Sequence, residues 1–269
     1  MKLFTNKKKL REEIGKINNI SFVPTMGFLH KGHESIIKKS VKGSGKTLVS
    51  IFVNPKQFNS RKDLKSYPRN TKNDIKILKK LKVDYLYKPS YADIYKFKTK
   101  NKIYLDKFAK ELCGQFRKGH FKGVIDVVNR LLEITNPKRI LLGNKDFQQL
   151  YLIKKHIMKN KIKTQVIPCE TIRDKNFIAY SSRLKKLNHN EKTKLIKIIK
   201  VLKKYKKDLI LKKQIYNFSK IKKKIISIGA KNVDYIKLID LKTLKKPKKN
   251  KFNLFYAFYI GNVRLIDNF

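Results

Sequence analysis

Short apolar runs alternate with segments of helical periodicity over the first two thirds of the chain. Residues 20–23 and 48–53 are the clearest apolar runs, and a helical pattern over 71–82 begins at a plausible N-cap, Asn70 or Thr71. The alternation continues with helical patterns at 32–41, 124–134 (amphipathic) and 147–158, and with strand patterns at 83–87, 139–142 and 164–167. Because strands that alternate with helices form parallel sheets with crossover helices, the pattern predicts a Rossmann-like α/β fold.

The pattern changes near residue 172. A Lys-rich helix follows Arg183, a second helix covers about 216–228, and two late strands are predicted at 235–239 and 252–260. Helices followed by strands, without alternation, indicate a smaller α+β domain. We therefore expect two domains, 1–171 and 172–269.

Charge is the most unusual bulk property of the chain. The formal net charge is +49, which by itself would suggest nucleic-acid binding. Only nine of the 68 basic residues are arginine, and the lysines are spread over the whole chain. Nucleic-acid-binding proteins more often cluster arginine, whose planar guanidinium matches bases and phosphates. Dispersed lysine favours compositional drift of the surface, and we expect no specific nucleic-acid partner.

Cysteine content and hydropathy bear on the compartment. Cys113 and Cys169 lie far apart without metal-ligand spacing, as in proteins with reduced thiols. The N-terminal residues lack the apolar core of a signal peptide, and the longest apolar run, at 254–260, is too short to cross a membrane. These features predict a cytoplasmic protein without membrane spans.

Two histidines stand at the end of the first predicted strand, in the stretch VPTMGFLHKGHESI. His30 and His33 are three residues apart at the expected start of a helix, so their rings should be neighbours. Helix N-terminal amides and imidazole donors together suit phosphate oxygens, and Gly27 and Gly32 would allow a nucleotide to approach the backbone. A pair of ordinary surface histidines is the alternative, but the position after a strand and a turn favours a site.

Polar residues also follow the next strands. In SIFVNPKQF, the amides of Asn54 and Gln57 could hold a carboxylate or hydroxyl groups. In GNKDFQQL, Lys145 could neutralise a phosphate. Asp146 could accept hydrogen bonds from ribose hydroxyls or merely cap the helix. The segment SSR adds two hydroxyls and the guanidinium of Arg183. Each signal is weak alone.

Taken together, these motifs closely resemble pantothenate synthetases (pantoate–β-alanine ligases). The resemblance covers nearly the whole chain through PTMG-x-LH-x-GH, SIFVNP-x-QF, YPR, GHF-x-GV, KD-x-QQL, SSR and RLIDN. It implies an AMP-forming ligase in two steps. The carboxylate of pantoate attacks the α-phosphate of ATP, which gives pantoyl adenylate and pyrophosphate, and β-alanine then displaces AMP to form pantothenate. It also implies a C-terminal lid domain, Mg²⁺ dependence and a homodimer.

The resemblance further assigns residues by their place in the motifs. His33 would be the proton donor to the departing phosphate, with His30, Lys145 and Arg183 as further catalytic groups. Gln57 and Gln149 would bind pantoate, Gln57 also lying near β-alanine. Asp74 would help with magnesium, unless it is only a solvated helix residue. The residues implied to bind ATP are Met26, Gly27, Phe28, Leu29, His30, Lys31, Gly32, His33, Gly143, Asn144, Lys145, Asp146, Ile172, Tyr180, Ser181, Ser182 and Arg183.

Two departures from the family pattern affect the nucleotide contacts. The family usually has Glu where this chain has Asn144 and Asn where it has Leu184. The loss of a charge at Asn144 would weaken nucleotide binding modestly, and Leu184 removes a polar group beside Arg183. Two other functions stay open from the sequence. The first is another nucleotidylyltransferase with the HxGH motif, and the second is a basic nucleic-acid-binding protein.

Overall fold

The structure is a computed structural model, which describes residues 1–211, 215–247 and 252–269. The chain divides into two compact units, Met1–Thr171 and Ile172–Phe269. The roles predicted for the two domains, nucleotide and pantoate binding for the first and a lid for the second, stay predictions.

The first unit is built on a six-stranded sheet. Its strands are β1 (Lys2–Phe4), β2 (Ile20–Thr25), β3 (Lys46–Ile51), β4 (Tyr85–Tyr87), β5 (Arg139–Gly143) and β6 (Gln165–Cys169). The sheet order is β1-β4-β3-β2-β5-β6, and every neighbouring pair is parallel. Strands β2 to β6 therefore have the order of a Rossmann fold, which confirms the predicted fold class.

Helices connect these strands. They are α1 (Lys7–Ile14), α2 (Lys31–Lys42), α3 (Arg61–Lys65), α4 (Thr71–Lys80), α5 (Tyr91–Tyr95), α6 (Cys113–Phe116), α7 (His120–Thr135) and α8 (Phe147–Lys159). The predicted start of α4 is confirmed, because the side chain of Asn70 accepts a hydrogen bond from the backbone N–H of Asn73. Strand β1 and helix α1 were not predicted. Their apolar residues are too few for a period, and pairing with β4 holds the short strand β1 in place.

Helix α7 differs from its prediction as an amphipathic helix. Lys122 is its only exposed residue, and the polar side chains of His120, Asp126 and Asn129 are buried. Each of the three has a hydrogen-bonding partner inside the unit, so these residues do not mark a solvated face. Polar spacing alone could not separate a solvated face from a bonded interior.

His156 on α8 is a further buried polar side chain, with no exposed surface. Its Nδ1 accepts a hydrogen bond from the backbone N–H of Tyr104, so Nε2 carries the proton and donates to Asn129 Oδ1 at 3.1 Å. Burial lowers the pKa of His156 to about 4, although Glu133 acts in the opposite direction. The ring is thus neutral in the folded protein at neutral pH.

This buried histidine predicts a loss of stability in acid. The unfolded chain protonates His156 near pH 6.5, so its contribution is fully present above that pH and is lost progressively as pH falls towards 4. The full loss is about 3 kcal/mol, from the conversion of a pKa difference into free energy. Urea unfolding at pH 4.5 to 8 should show a shallower pH dependence for His156→Gln than for the wild type. An identical pH dependence would contradict the assignment.

The second unit contains two long helices, α9 (His189–Ile210) and α10 (Phe218–Ile228), and an antiparallel sheet of β7 (Asn232–Ile239), β8 (Asn253–Ile260) and β9 (Val263–Asn268). Apolar residues from both helices and all three strands form its core. The predicted α+β character is confirmed, but the described part of this unit has three late strands where two were predicted. Strand β9 was missed although a signal for it existed, since Gly261 and Asn262 form a two-residue hairpin turn after β8.

The helices described above are too short or too polar to span a membrane. Within the described residues, no helix combines the length and apolar character needed to cross a bilayer.

Candidate active site

Three polar segments of the first unit begin at the same edge of the sheet. The stretch after β2 carries His30 and His33, the stretch after β3 carries Gln57, and the stretch after β5 carries Lys145. Strands β3, β2 and β5 are parallel neighbours, so their carboxyl ends lie side by side. The chain runs from β2 outward through β3 on one side and resumes with β5 on the other. Such a switch point is where open α/β sheets bind ligands.

The turn after β2 has a left-handed backbone. Gly27 has φ +76° and Phe28 has φ +53°, a region that glycine adopts without strain. A Cβ atom at Gly27 would lie 2.9 Å from Asp74 Oδ2 and 3.0 Å from Ile51 Cγ2. Gly27 is therefore required by the turn and by the close approach of Asp74, a reason different from the nucleotide contact predicted for it.

The carboxylate of Asp74 holds this turn through two hydrogen bonds. Asp74 is 1% exposed, and its Oδ2 and Oδ1 accept hydrogen bonds from the backbone N–H groups of Phe28 and Leu29 at 2.8 and 2.7 Å. The alternative interpretation of Asp74 as a solvated helix residue is wrong, because its partners lie far away in sequence on another element. That Asp74 helps with magnesium stays a prediction.

His30 is the N-cap of helix α2. Its Nδ1 accepts a hydrogen bond from the backbone N–H of Gly32 at 3.2 Å, so the neutral ring carries its proton on Nε2. Burial and the positive charge of Lys145 lower the pKa of His30 to about 4, with Asp146 acting in the opposite direction. The result is a neutral imidazole donor at a helix N-terminus, where anions bind.

His33 lies beside it, with ring centroids 4.0 Å apart. Burial, then the neighbouring His30 and the charge of Lys145, hold the pKa of His33 well below its usual value. Its side chain is only partly covered, but the Nδ1 atom is buried and has no hydrogen-bonding partner among the described residues. An unpartnered buried nitrogen is costly, so such an atom at a switch point indicates a place for a ligand group.

The turn after β3 carries two amide side chains that differ in burial and in hydrogen-bonding partners. Asn54 is buried, and its side chain bonds to the carbonyl of Gly123, the N–H of Lys56 and the hydroxyl of Tyr95. It is thus a structural residue, in contrast to the ligand role considered for it. Gln57 is half-buried, and its Nε2 donates to the sulfur of Met26 at 2.9 Å. A thioether is a weak acceptor, so a carboxylate or hydroxyl could replace it.

The segment after β5 shows the same division. Gln148 is buried and donates to the carbonyls of Phe108 and Glu111, whereas the half-buried side chain of Gln149 makes no hydrogen bond with any residue that the structure describes. Asp146 stands at the N-cap of α8 but its side chain makes no capping bond, so the interpretation of it as a mere cap is not supported. Its carboxylate lies 3.7 Å from the ammonium group of Lys145.

Five of the predicted residues belong to the second unit, namely Ile172, Tyr180, Ser181, Ser182 and Arg183. The backbone N–H of Tyr180 bonds to the carbonyl of Ile172 across a short hairpin, and Ser181 caps the following 3-10 turn through Arg183 N. Arg183 Nη1 donates to the carbonyl of Arg264. Ser182 is buried. Leu184 packs against the apolar core of this unit, which explains a leucine at that position.

Sequence reasoning gave no role to the motif GHF-x-GV, although the motif was recognised. In the structure His120 and Arg117 both bond to the carbonyl of Gln57, and Gly123 packs against the backbone before it. The signal available in the sequence was a glycine in the interior of a long helix, which usually has a packing reason.

Comparison with known proteins agrees with this geometry. The profile of the protein family described as pantoate-beta-alanine ligase matches residues 2–269. A pantothenate synthetase from Endomicrobium trichonymphae is 38% identical over 276 residues, covering 100% of this chain and 97% of that protein. A pantothenate synthetase from Flavobacterium psychrophilum is 44% identical over 190 residues, covering 70% of this chain and 67% of that protein.

Solved structures give the same result. The structure of pantoate-beta-alanine ligase from Francisella tularensis, complexed with beta-gamma ATP and beta-alanine, superimposes with a TM-score of 0.87. It is 38% identical and covers 100% of this chain and 97% of that one. A pantothenate synthetase from Thermus thermophilus superimposes with a TM-score of 0.88 at 25% identity, covering 100% of this chain and 99% of that one. With the sequence match, the shared fold and the residues gathered at the switch point, the chain belongs to the pantoate–β-alanine ligase family.

Proposed function

We propose that this protein joins pantoate to β-alanine at the expense of ATP, through a pantoyl adenylate, and so forms pantothenate. The observation that carries the proposal is the meeting of two sets of groups at one sheet edge. Neutral imidazoles and the ammonium of Lys145 suit phosphate oxygens, and the amides of Gln57 and Gln149 suit an acid that also has hydroxyl groups. The relative crystallised with ATP and β-alanine supports the same substrates.

The two histidines have a defined protonation state in this proposal. Both are neutral in the free protein at pH 7, so each can donate a hydrogen bond to a phosphate oxygen, and His30 does so through Nε2. His33 can act as the proton donor implied by the resemblance only after it has gained a proton, which the negative charge of bound ATP favours. Lys145, beside both rings, stabilises the charge that develops at the α-phosphate.

The remaining assignments rest on the resemblance and are part of the proposal. Residues 26–33, Gly143–Asp146 and Ile172 bind the nucleotide, and Tyr180–Arg183 contact the triphosphate. Mg²⁺ enters with ATP as part of the substrate. Among the described residues, no group of three or more histidine, cysteine or acidic side chains is arranged to hold a metal ion. Nucleotide sites usually bind Mg²⁺ through only one or two carboxylates together with the substrate phosphates. A homodimer and a cytoplasmic location are likewise proposed.

Isotope transfer tests the chemistry directly. If the carboxylate of pantoate attacks the α-phosphorus, one of its oxygens bridges to AMP and leaves with AMP when the amine of β-alanine attacks the acyl carbon. Pantoate labelled with heavy oxygen in the carboxylate should therefore give AMP with one labelled oxygen and unlabelled pyrophosphate. Without β-alanine, pantoate should support exchange of labelled pyrophosphate into ATP.

A different product pattern would reject the adenylate. Label in inorganic phosphate, with ADP as the second product, would show an acyl-phosphate route. The chain offers no Ser-His-Asp or Cys-His nucleophile motif, which leaves activation by ATP as the route available to it.

A further inference from the structure

The backbone of Gln57 is held by two side chains, those of Arg117, just before helix α7, and of His120, the first residue of α7. The carbonyl oxygen of Gln57 lies 2.7 Å from His120 Nδ1 and 3.2 Å from Arg117 Nη2. Arg117 Nη1 is in turn 2.9 Å from His120 Nε2. The three groups form a closed triangle in which each contacts the other two.

The chemistry of the guanidinium fixes the protons in this triangle. A guanidinium only donates, so His120 Nε2 must carry a lone pair and accept from Arg117. The proton of the neutral ring is then on Nδ1, where it donates to the carbonyl of Gln57. Only this tautomer satisfies both contacts. His120 is buried, so water cannot easily substitute for either bond.

Packing holds the adjacent peptide, which joins Lys56 to Gln57. A Cβ atom at Gly123 would lie 2.2 Å from the carbonyl oxygen of Lys56 and 2.9 Å from the backbone nitrogen of Gln57. Asn54 Nδ2 donates a hydrogen bond to the carbonyl of Gly123 at 3.0 Å, which is a second link between the turn after β3 and helix α7. The first turn of α7 thus fixes the peptide that precedes the Gln57 side chain.

The side chain of Gln57 is less firmly held than its backbone. Gln57 Nε2 has the sulfur of Met26 as its partner, and Oε1 lies 3.3 Å from Asn54 Nδ2. A carboxylate or hydroxyl is a better acceptor than sulfur. A fixed backbone and a replaceable side-chain partner are what a substrate-binding amide requires, because small errors of position cost a large part of the binding energy.

We infer that Arg117 and His120 are positioning residues for the acid substrate, acting through the carbonyl of Gln57 without touching the substrate themselves. The inference rests on the proposed function, because it takes Gln57 as a ligand of pantoate. It adds a role for the pair, with a required tautomer of His120.

Two substitutions of His120 separate this role from a general structural one. In His120→Asn the amide nitrogen takes nearly the place of Nδ1 and can still donate to Gln57. In His120→Gln the amide reaches the place of Nε2, towards Arg117, and leaves that carbonyl without its donor. We expect His120→Gln to raise the KM for pantoate about tenfold, the effect of one lost hydrogen bond, while the KM for ATP changes little. His120→Asn should stay closer to the wild type.

A double-mutant cycle with Gln57→Ala supplies the decisive readout. If His120 acts through Gln57, His120→Gln should raise the pantoate KM no further once Gln57 is alanine. A structural role would add its own loss to that of Gln57→Ala. Additive effects, or equal KM values for His120→Asn and His120→Gln, would overturn the inference. Thermal unfolding of each variant shows whether it is folded at the assay temperature.

Two further outcomes are distinguishable, an unfolded variant and an inactive wild type. If His120→Gln does not fold, Arg117→Gln is used in the same cycle, since Arg117 is only half-buried and is expected to tolerate substitution. The same non-additivity is expected for it, and additivity overturns the inference. Wild-type protein that is folded but forms no pantothenate from pantoate, β-alanine and ATP would instead reject the proposed function, before any variant is compared.

Discussion

Replacing His33 with alanine should lower kcat by about 10²–10³, the loss typical of one preorganised donor to a transition state. The ring lies at the start of α2 beside His30, and its buried Nδ1 has no described partner, so its removal leaves the fold nearly intact. Steady-state kinetics give the loss in kcat, and thermal unfolding should show little change. His189→Ala is the matched control, because His189 is exposed at the start of α9 and should leave kcat unchanged.

The pH dependence of kcat/KM for ATP then defines the state of the ring. Such a profile reports ionisations of free enzyme and free substrate. Because the pKa of His33 is well below its usual value and the ring must gain a proton to act as the proton donor, we expect kcat/KM to rise steadily as pH falls from 8 to 6, without levelling off near pH 6.5. A rise with an apparent pKa near 6.5 that disappears in His33→Asn would show that the free protein carries a protonated His33. Near-normal turnover of His33→Ala would remove the residue from the mechanism.

Replacing Asp74 with asparagine should lower the free energy of unfolding by about 3–5 kcal/mol. The amide can accept from only one of the two backbone N–H groups that Asp74 now satisfies, and its own NH₂ faces the other. A hydrogen bond to a charged group contributes roughly 1.5–3 kcal/mol, and a buried unsatisfied donor costs about 1–3 kcal/mol more. Urea unfolding measures this change. Asp208→Asn, which breaks an exposed ion pair with Lys204, should cost less than about 1 kcal/mol.

The same variant distinguishes a clamp from a metal ligand. With the clamp weakened, the turn from Gly27 to Leu29 and the adjoining His30 should shift, so kcat/KM for ATP should fall about 10²-fold even at temperatures where the variant is folded. A clamp defect cannot be repaired by added metal. Recovery of activity at high Mg²⁺ concentration, together with normal stability, would support the alternative that Asp74 binds magnesium.

Much of the site was predictable from local patterns. The helix that begins within HxGH, the N-cap at Asn70 and the adjacency of the three strand ends all follow from short-range periodicity and the topology of parallel sheets. The pairing of His30 with His33 follows from helix geometry alone. These features depend on residues close together in the chain.

The division of polar residues into buried, fully bonded side chains and partly exposed ones was not predictable. Asn54 and Gln57 are three residues apart and both are amides, yet one is buried in a hydrogen-bond network and the other has sulfur as the partner of its side-chain nitrogen. Gln148 and Gln149 are adjacent and divide in the same way. Nothing in residue type or spacing separates the members of these pairs.

The amino-acid sequence by itself determined the α/β fold, the second α+β unit and the family, because hydrophobic periodicity and motif order are properties of the chain. The tertiary structure decided what individual side chains do. Asp74 accepts a hydrogen bond from the N–H of Phe28, 46 residues away in the chain, and Asn54 lies 69 residues from its partner Gly123. Burial and hydrogen bonding set the cost and the ionisation of a polar group, and both depend on neighbours that only folding brings together.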